Sequence, residues 1–146
     1  VTQSSAILTR SKVVETARNW LGTKFRHQGR SKLGVDCCGV VILVGQELGL
    51  TTYDTTNYNR RTSGEAFLHH FRDAGLIEKP VKDLKPGMVV VTTDDNFPCH
   101  CGVIEMHRGQ LHMLHSYVLR KTVVRDPVEH WQQKIIGAFD YPGVTD

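Results

Sequence analysis

Long apolar runs are missing from this chain. The longest, Val40 to Val44, is far shorter than the roughly 20 residues that a bilayer-crossing helix needs, so no membrane insertion is expected. The opening VTQSSAILTR has none of the charged, apolar and small-residue zones of a signal peptide. Synthesis in the cytoplasm is expected. Cysteine is scarce and clustered: the four fall as Cys37-Cys38 and Cys99-x-Cys101, not at the spread spacing of a disulfide framework. Reduced thiols are the expectation, with a bridge between the two pairs left open, because its geometry is not written in the sequence. A strong excess of one charge is also lacking. Eighteen Lys and Arg against 15 Asp and Glu give +3, too little to argue for nucleic acid, so any preference for acidic ligands must be local. No repeat, low-complexity tract or linker interrupts the 146 residues, which are read as one domain, 1–146.

What is present reads as α+β, with helical signals in the first half and strand signals in the second. Val13, Val14, Ala17, Trp20 and Leu21 recur at helical spacing behind Thr9 or Ser11 as caps, and Gly22 ends the run. A Gly-rich, basic loop from Thr23 to Val35 leads to Asp36 as N-cap of a second helix. Val40, Val41, Val44 and Leu48 outline it, and Gly49 closes it. Ser63 starts a third helix with Ala66, Phe67, His70, Phe71 and Ala74 on one stripe, ending near Gly75. After the turn Lys85-Pro86-Gly87 come strands at Met88 to Thr92, His100 to Met106, Gln110 to Tyr117, Thr122 to Arg125 and Lys134 to Tyr141. An antiparallel meander is expected from them.

Cysteine attacks as the thiolate, and the free N–H groups and positive dipole of a helix start favour that anion. Asp36-Cys37-Cys38-Gly39 puts Cys37 at such a start, directly after a loop, where its side chain can face a cleft. Taken alone, Cys37 reads better as a small buried packing residue than as a nucleophile, and so does Cys38. The histidines change the balance. Arg108-Gly109 suits a two-residue hairpin loop, and if His107 faces Gln110, then His115 lies opposite Gly102 and one diagonal step from His100 on the same face. Cys37, His100 and His115 then supply a nucleophile, a base and an orienting group. A three-residue loop would shift the register and exchange His115 for His112.

Asn19-Trp20-Leu21-Gly22-Thr23-Lys24-Phe25-Arg26-His27-Gln28-Gly29, Gly34-Val35-Asp36-Cys37-Cys38-Gly39, His100-Cys101-Gly102-Val103-Ile104 and Met113-Leu114-His115-Ser116 together resemble the NlpC family of cell-wall cysteine peptidases. The stretch FRHQGRSKLGVDCCGVV with its E-L-G ending is most like the branch encoded in phage tail clusters and prophages. The resemblance implies a papain-like α+β fold, with N-terminal helices packed on an antiparallel sheet of about five to six strands. It implies no cofactor, and hydrolysis of amide bonds in peptidoglycan stem peptides, typically between D-glutamate and diaminopimelate. By motif match Cys37 is the nucleophile, His100 the base and His115 the third polar residue. Phe25, Arg26, His27, Asp36, Lys24 and Arg30 are expected around the substrate, the basic ones together with Lys32 as a rim for carboxylates; Arg60-Arg61 is a weaker candidate. Members commonly carry Tyr where Phe25 stands, so that hydroxyl is absent here. Other phage tail proteins are expected partners, with the domain acting in a virion tail or at the cell wall.

Three other readings share these residues. Cys99, Cys101 and His112 with Cys38 make a zinc module, although C-x-C beside C-C is not the usual ligand spacing. A phage tail-tip component could keep the fold with little or no activity. Acyl transfer on the same scaffold would differ only in the acceptor.

Overall fold

The structure, a computed structural model, describes residues 8–146. Residues 1–7, where most of the stretch read for a signal peptide falls, lie outside the described residues. No helix among the described residues is long and apolar enough to cross a membrane. The helices are α1 (Arg10–Arg18), α2 (Cys37–Glu47) and α3 (Gly64–Asp73). Their N-caps are Thr9, Asp36 and Ser63, each accepting a backbone N–H in the first turn. Capping explains why the starts match the sequence reading, whereas α1 stops at Arg18, before Gly22.

The strands are β1 (Arg30–Ser31), β2 (Gly34–Val35), β3 (Ile77–Lys79), β4 (Val89–Thr92), β5 (His100–His107), β6 (Gln110–Tyr117), β7 (Thr122–Pro127) and β8 (Ile135–Asp140). The six-stranded sheet has the order β3-β8-β4-β5-β6-β7, and its paired strands are antiparallel. This is the expected α+β architecture, with one correction. Only β4 to β7 form a meander; β8 crosses back to pair with β4 and with the unforeseen strand β3. The outer edge of β7 is already occupied by the loop after α1, since Gly22 N–H bonds the Val123 carbonyl and Phe25 N–H the Lys121 carbonyl. A strand following β7 finds no backbone partner there and returns to the open edge of β4.

Strand alternation gives the sheet two buried faces. Val89, Val91, Cys101, Val103 and Leu114 pack with Val40, Val41 and Val44 of α2 and with Phe67, Phe71 and Phe139. Burying each of those α2 valines contributes about 1.5–3 kcal/mol. On the other face Val90, Ile104 and Met113 meet Trp131.

Arg108 (φ 51°) and Gly109 (φ 78°) both adopt the left-handed conformation of a type I′ turn. The resulting β5–β6 register pairs His107 with Gln110 and Val103 with Leu114. Gly102 therefore lies against His115, and a Cβ placed on it would sit 2.5 Å from Met113 Cγ, 2.8 Å from the Leu114 carbonyl oxygen and 3.1 Å from His115 Cβ. Because a backbone oxygen and two packed side chains would all have to give way, Gly102→Ala is expected to cost about 1–3 kcal/mol, as overpacking does. Urea unfolding measures this, and an unchanged midpoint would contradict the close packing.

Candidate active site

The loop between α1 and α2 aims the helix start at the sheet. Arg26 N–H bonds the Val35 carbonyl, Val35 N–H bonds the Lys24 carbonyl, and the Ser116 hydroxyl donates to the Val35 carbonyl at 2.7 Å. Asp36 then accepts four hydrogen bonds: from Gly39 N–H at 2.8 Å, Gln28 N–H at 2.8 Å, the Tyr58 hydroxyl at 2.6 Å and Arg30 Nη1 at 3.1 Å. Burial raises its pKa, and these donors, which stabilise the carboxylate, pull it back. Cys37 is the next residue, half-buried, at the first helical position.

Cys37 lines a cleft of about 470 Å³ together with Phe25, His27, Tyr58, Cys99, His100 and Tyr117. Its pKa is held well below the ordinary thiol value, first by hydrogen bonds from the Cys101 and Cys38 thiols and then by His100, against the opposing effect of burial. Burial pushes the Cys38 and Cys101 thiols far up, so they stay protonated and act as S–H donors. Cys99 rises to about 12 through burial and the charge on Cys37.

His100 and His115 meet, as the hairpin register requires. His100 Nε2 lies 2.6 Å from His115 Nδ1, and His115 Nε2 lies 2.8 Å from Asp126 Oδ2. Burial pushes His115 down to about 4, so its ring is neutral near pH 7. The hydrogen bond from His115 keeps Asp126 below its usual value, and Arg120 Nη2 adds a contact at 3.1 Å. An ionised Asp126 only accepts, so His115 carries its proton on Nε2 and offers Nδ1 as an acceptor. His100 must then donate from Nε2. Its Nδ1 is left as the basic nitrogen, and this is the one free to serve Cys37. The His100 ring is clamped by stacking on Trp131 (5.2 Å, 23°) and by Tyr117 at 5.3 Å.

Of the expected surroundings, Phe25 and His27 line the cleft, and Lys24 and Arg26 are exposed beside it in sequence. Arg30 does not belong to a rim. Its guanidinium is turned inward to Asp36, Asp54, the Thr55 carbonyl and the Tyr58 hydroxyl, because the buried carboxylate needs a partner. Asp36 also lines the cleft, but it is 3% exposed and its carboxylate is committed to capping α2. Lys32 is drawn to the Asn19 carbonyl and the Trp20 ring. Arg60 lies over the Phe25 ring at 5.6 Å, on the cleft wall. His112 is near His107 and bonds the Gln110 carbonyl, away from His100, so the shifted register is not adopted. Nor do Cys99, Cys101, His112 and Cys38 gather as one group. The thiols that converge are Cys37, Cys38 and Cys101.

Asp126, Trp131, Tyr58 and Tyr117 were not singled out in the sequence. Asp126 pairs across from Met113, one diagonal step from His115 on β6. Asp126 directly follows the strand expected at Thr122 to Arg125, and β7 runs on through it to Pro127, so its place behind His115 is readable only once the β6–β7 register is known. That register rests on a turn in which Lys121 takes φ 66°, without a glycine to mark it.

Burial of neutral His115 ties stability to pH. The unfolded ring titrates near 6.5 and the folded one near 4, so the unfolded chain takes up the proton first as pH falls. Stability is therefore expected to drop between pH 6.5 and 4 by roughly 3 kcal/mol from this group, with depressed Asp126 acting in the same direction. Urea midpoints across this range should fall less steeply for His115→Asn; equal slopes would refute the assignment.

The NlpC/P60 family model matches residues 22–140. Among solved structures, the NlpC/p60 domain of the peptidoglycan hydrolase SagA is similar at 16% identity with a TM-score of 0.63, covering 91% of this chain and 99% of that one. An NlpC/P60 family protein from Bacillus cereus ATCC 10987 shares 19% identity at a TM-score of 0.65, covering 92% of this chain but only 41% of its own. An N-acetylmuramoyl-L-alanine amidase from Bacteroides uniformis ATCC 8492 shares 11% identity at a TM-score of 0.62, covering 89% and 96%. At these identities the likeness is one of fold. No curated protein matches the chain.

Proposed function

The chain belongs to the NlpC/P60 family, and we propose from that premise that it is a cysteine peptidase cleaving amide bonds in peptidoglycan stem peptides. Cys37 is the nucleophile, His100 the general base and acid, and His115 with Asp126 the orienting pair. One observation carries this reading: an acidified thiol at a helix start lies beside an imidazole whose far nitrogen is tied to a buried His–Asp pair.

The chemistry follows from the proton inventory. His100 Nδ1 takes the Cys37 proton, and the thiolate adds to the amide carbonyl carbon. The oxyanion is met by N–H groups of the first turn of α2, where Asp36 uses Gly39 N–H and leaves those of residues 37 and 38 free of the cap. The tetrahedral species collapses as His100 returns the proton to the leaving amine. Water, deprotonated by His100, then hydrolyses the thioester. The imidazolium formed at each stage is stabilised through His115 by the Asp126 charge.

On the substrate side, exposed Lys24 and Arg26 and cleft-lining Arg60 suit the free carboxylates of a stem peptide. The D-glutamyl-diaminopimelate bond is the specific target of this proposal, and a phage tail is its setting. Both rest on the resemblance of residues 25–41 and neighbouring motifs. A fold retained without activity is disfavoured by the complete set of proton-handling groups around Cys37.

Mass spectrometry of muropeptides from purified sacculi tests the assignment. Cys37→Ala should reduce peptide release to background; undiminished release would end it. Asp126→Asn can still accept from His115 but no longer compels its tautomer. General base catalysis is worth roughly 10²–10⁴-fold, so this variant is expected to lower kcat about tenfold or more with little change in KM. Wild-type kcat would show that Asp126 plays no part in the relay.

A further inference from the structure

Peptide cleavage in this scheme needs one thiol, yet three converge. The sulfur atoms of Cys37, Cys38 and Cys101 all lie within 4.8 Å of one another, Cys37 half-buried and the other two buried. Cys99, although close in sequence to Cys101, is not part of this triangle. We infer that Cys37, Cys38 and Cys101 form a binding site for a single thiophilic divalent cation, zinc foremost, whose occupancy silences the nucleophile.

The dimensions fit. Zinc–sulfur bonds of about 2.3 Å at tetrahedral angles set sulfur atoms about 3.8 Å apart, so the existing triangle needs at most a small contraction. Three sulfur ligands and no carboxylate select a soft or borderline ion over magnesium or calcium. Cys37 and His100 both line the cleft, which gives the ion an entry path and a source of a fourth ligand in water or the His100 ring. The negative charge of a trithiolate complex sits at the N-terminus of α2, where the helix dipole favours it. Binding exchanges thiol protons for the metal and releases them to solvent, with no oxidant or reductant involved. A sulfur lone pair bonded to zinc no longer attacks a carbonyl, so the bound state is a closed one, reopened by a chelator.

Packing alone asks less of these positions. Two small apolar side chains at 38 and 101 would fill the same core space beside Val40, Val103 and Tyr141. Nor does an ordinary cysteine–histidine pair explain the triangle, since zinc on Cys37 and His100 would leave Cys38 and Cys101 as bystanders.

The test uses the full chain reduced with a phosphine, titrated with Co²⁺ and then with Zn²⁺ against a chromophoric chelator. One equivalent of Co²⁺ should produce thiolate-to-cobalt charge-transfer bands and intense tetrahedral d–d bands that Zn²⁺ removes. Cys38→Ser and Cys101→Ser should each weaken zinc by more than the roughly 10–100-fold that outer-shell partners are worth. Wild-type affinity in either folded variant would overturn the site in favour of a Cys37–His100 pair alone. Cadmium-113 NMR of the unaltered protein, by a shift that counts sulfur ligands, decides the matter even if a variant fails to fold. Three sulfurs are expected, and one or two would refute the assignment. None of these readouts needs turnover, so a failure here is distinct from a failure of the peptidase reading.

Discussion

The structure depends most on one buried carboxylate. Asp36 caps α2, ties the Gln28 backbone to the helix start and binds Arg30 and Tyr58, so a single side chain joins the basic loop, the central helix and the segment before α3. A buried charge is tolerated only when its oxygens are satisfied, and here the four partners are drawn from three parts of the chain. The start of α2 is thereby fixed in direction, and Cys37 takes its place from Asp36. Ser116 completes the junction by holding the Val35 carbonyl from β6, the strand that also carries His115.

The second constraint is electrostatic and runs through the sheet. His115 is fully buried, and its neutrality follows first from that burial, which outweighs the opposing pull of Asp126. A neutral ring beside an ionised carboxylate has one available tautomer, and that choice propagates to His100. The basic nitrogen of His100 is thus selected about two side chains away, by Asp126 on β7. Trp131 and Tyr117 remove the remaining rotational freedom of the imidazole.

The basic residues divide by the same logic. Arg30, Arg10 and Arg18 are committed to Asp36, Asp140 and Glu105, and the fully buried Glu105 also receives Arg125. Lys24 and Arg26 stay exposed. A loop that reads as one uniform basic rim therefore holds structural and available cations side by side, and only burial tells them apart.

The sequence by itself determined the local features: three capped helix starts, the thiol at the second of them, and a two-residue turn whose geometry brings His100 and His115 together. Each follows from interactions within a few residues or from strand alternation counted out from one turn. The tertiary structure decided the return of β8 to β4, the inward commitment of Arg30, the arrival of Asp126 behind His115 and the convergence of Cys101 on Cys37 and Cys38. These pair residues far apart in the chain, through edges already occupied, turns without glycine and charges that burial forces into contact, and no local pattern encodes such partners.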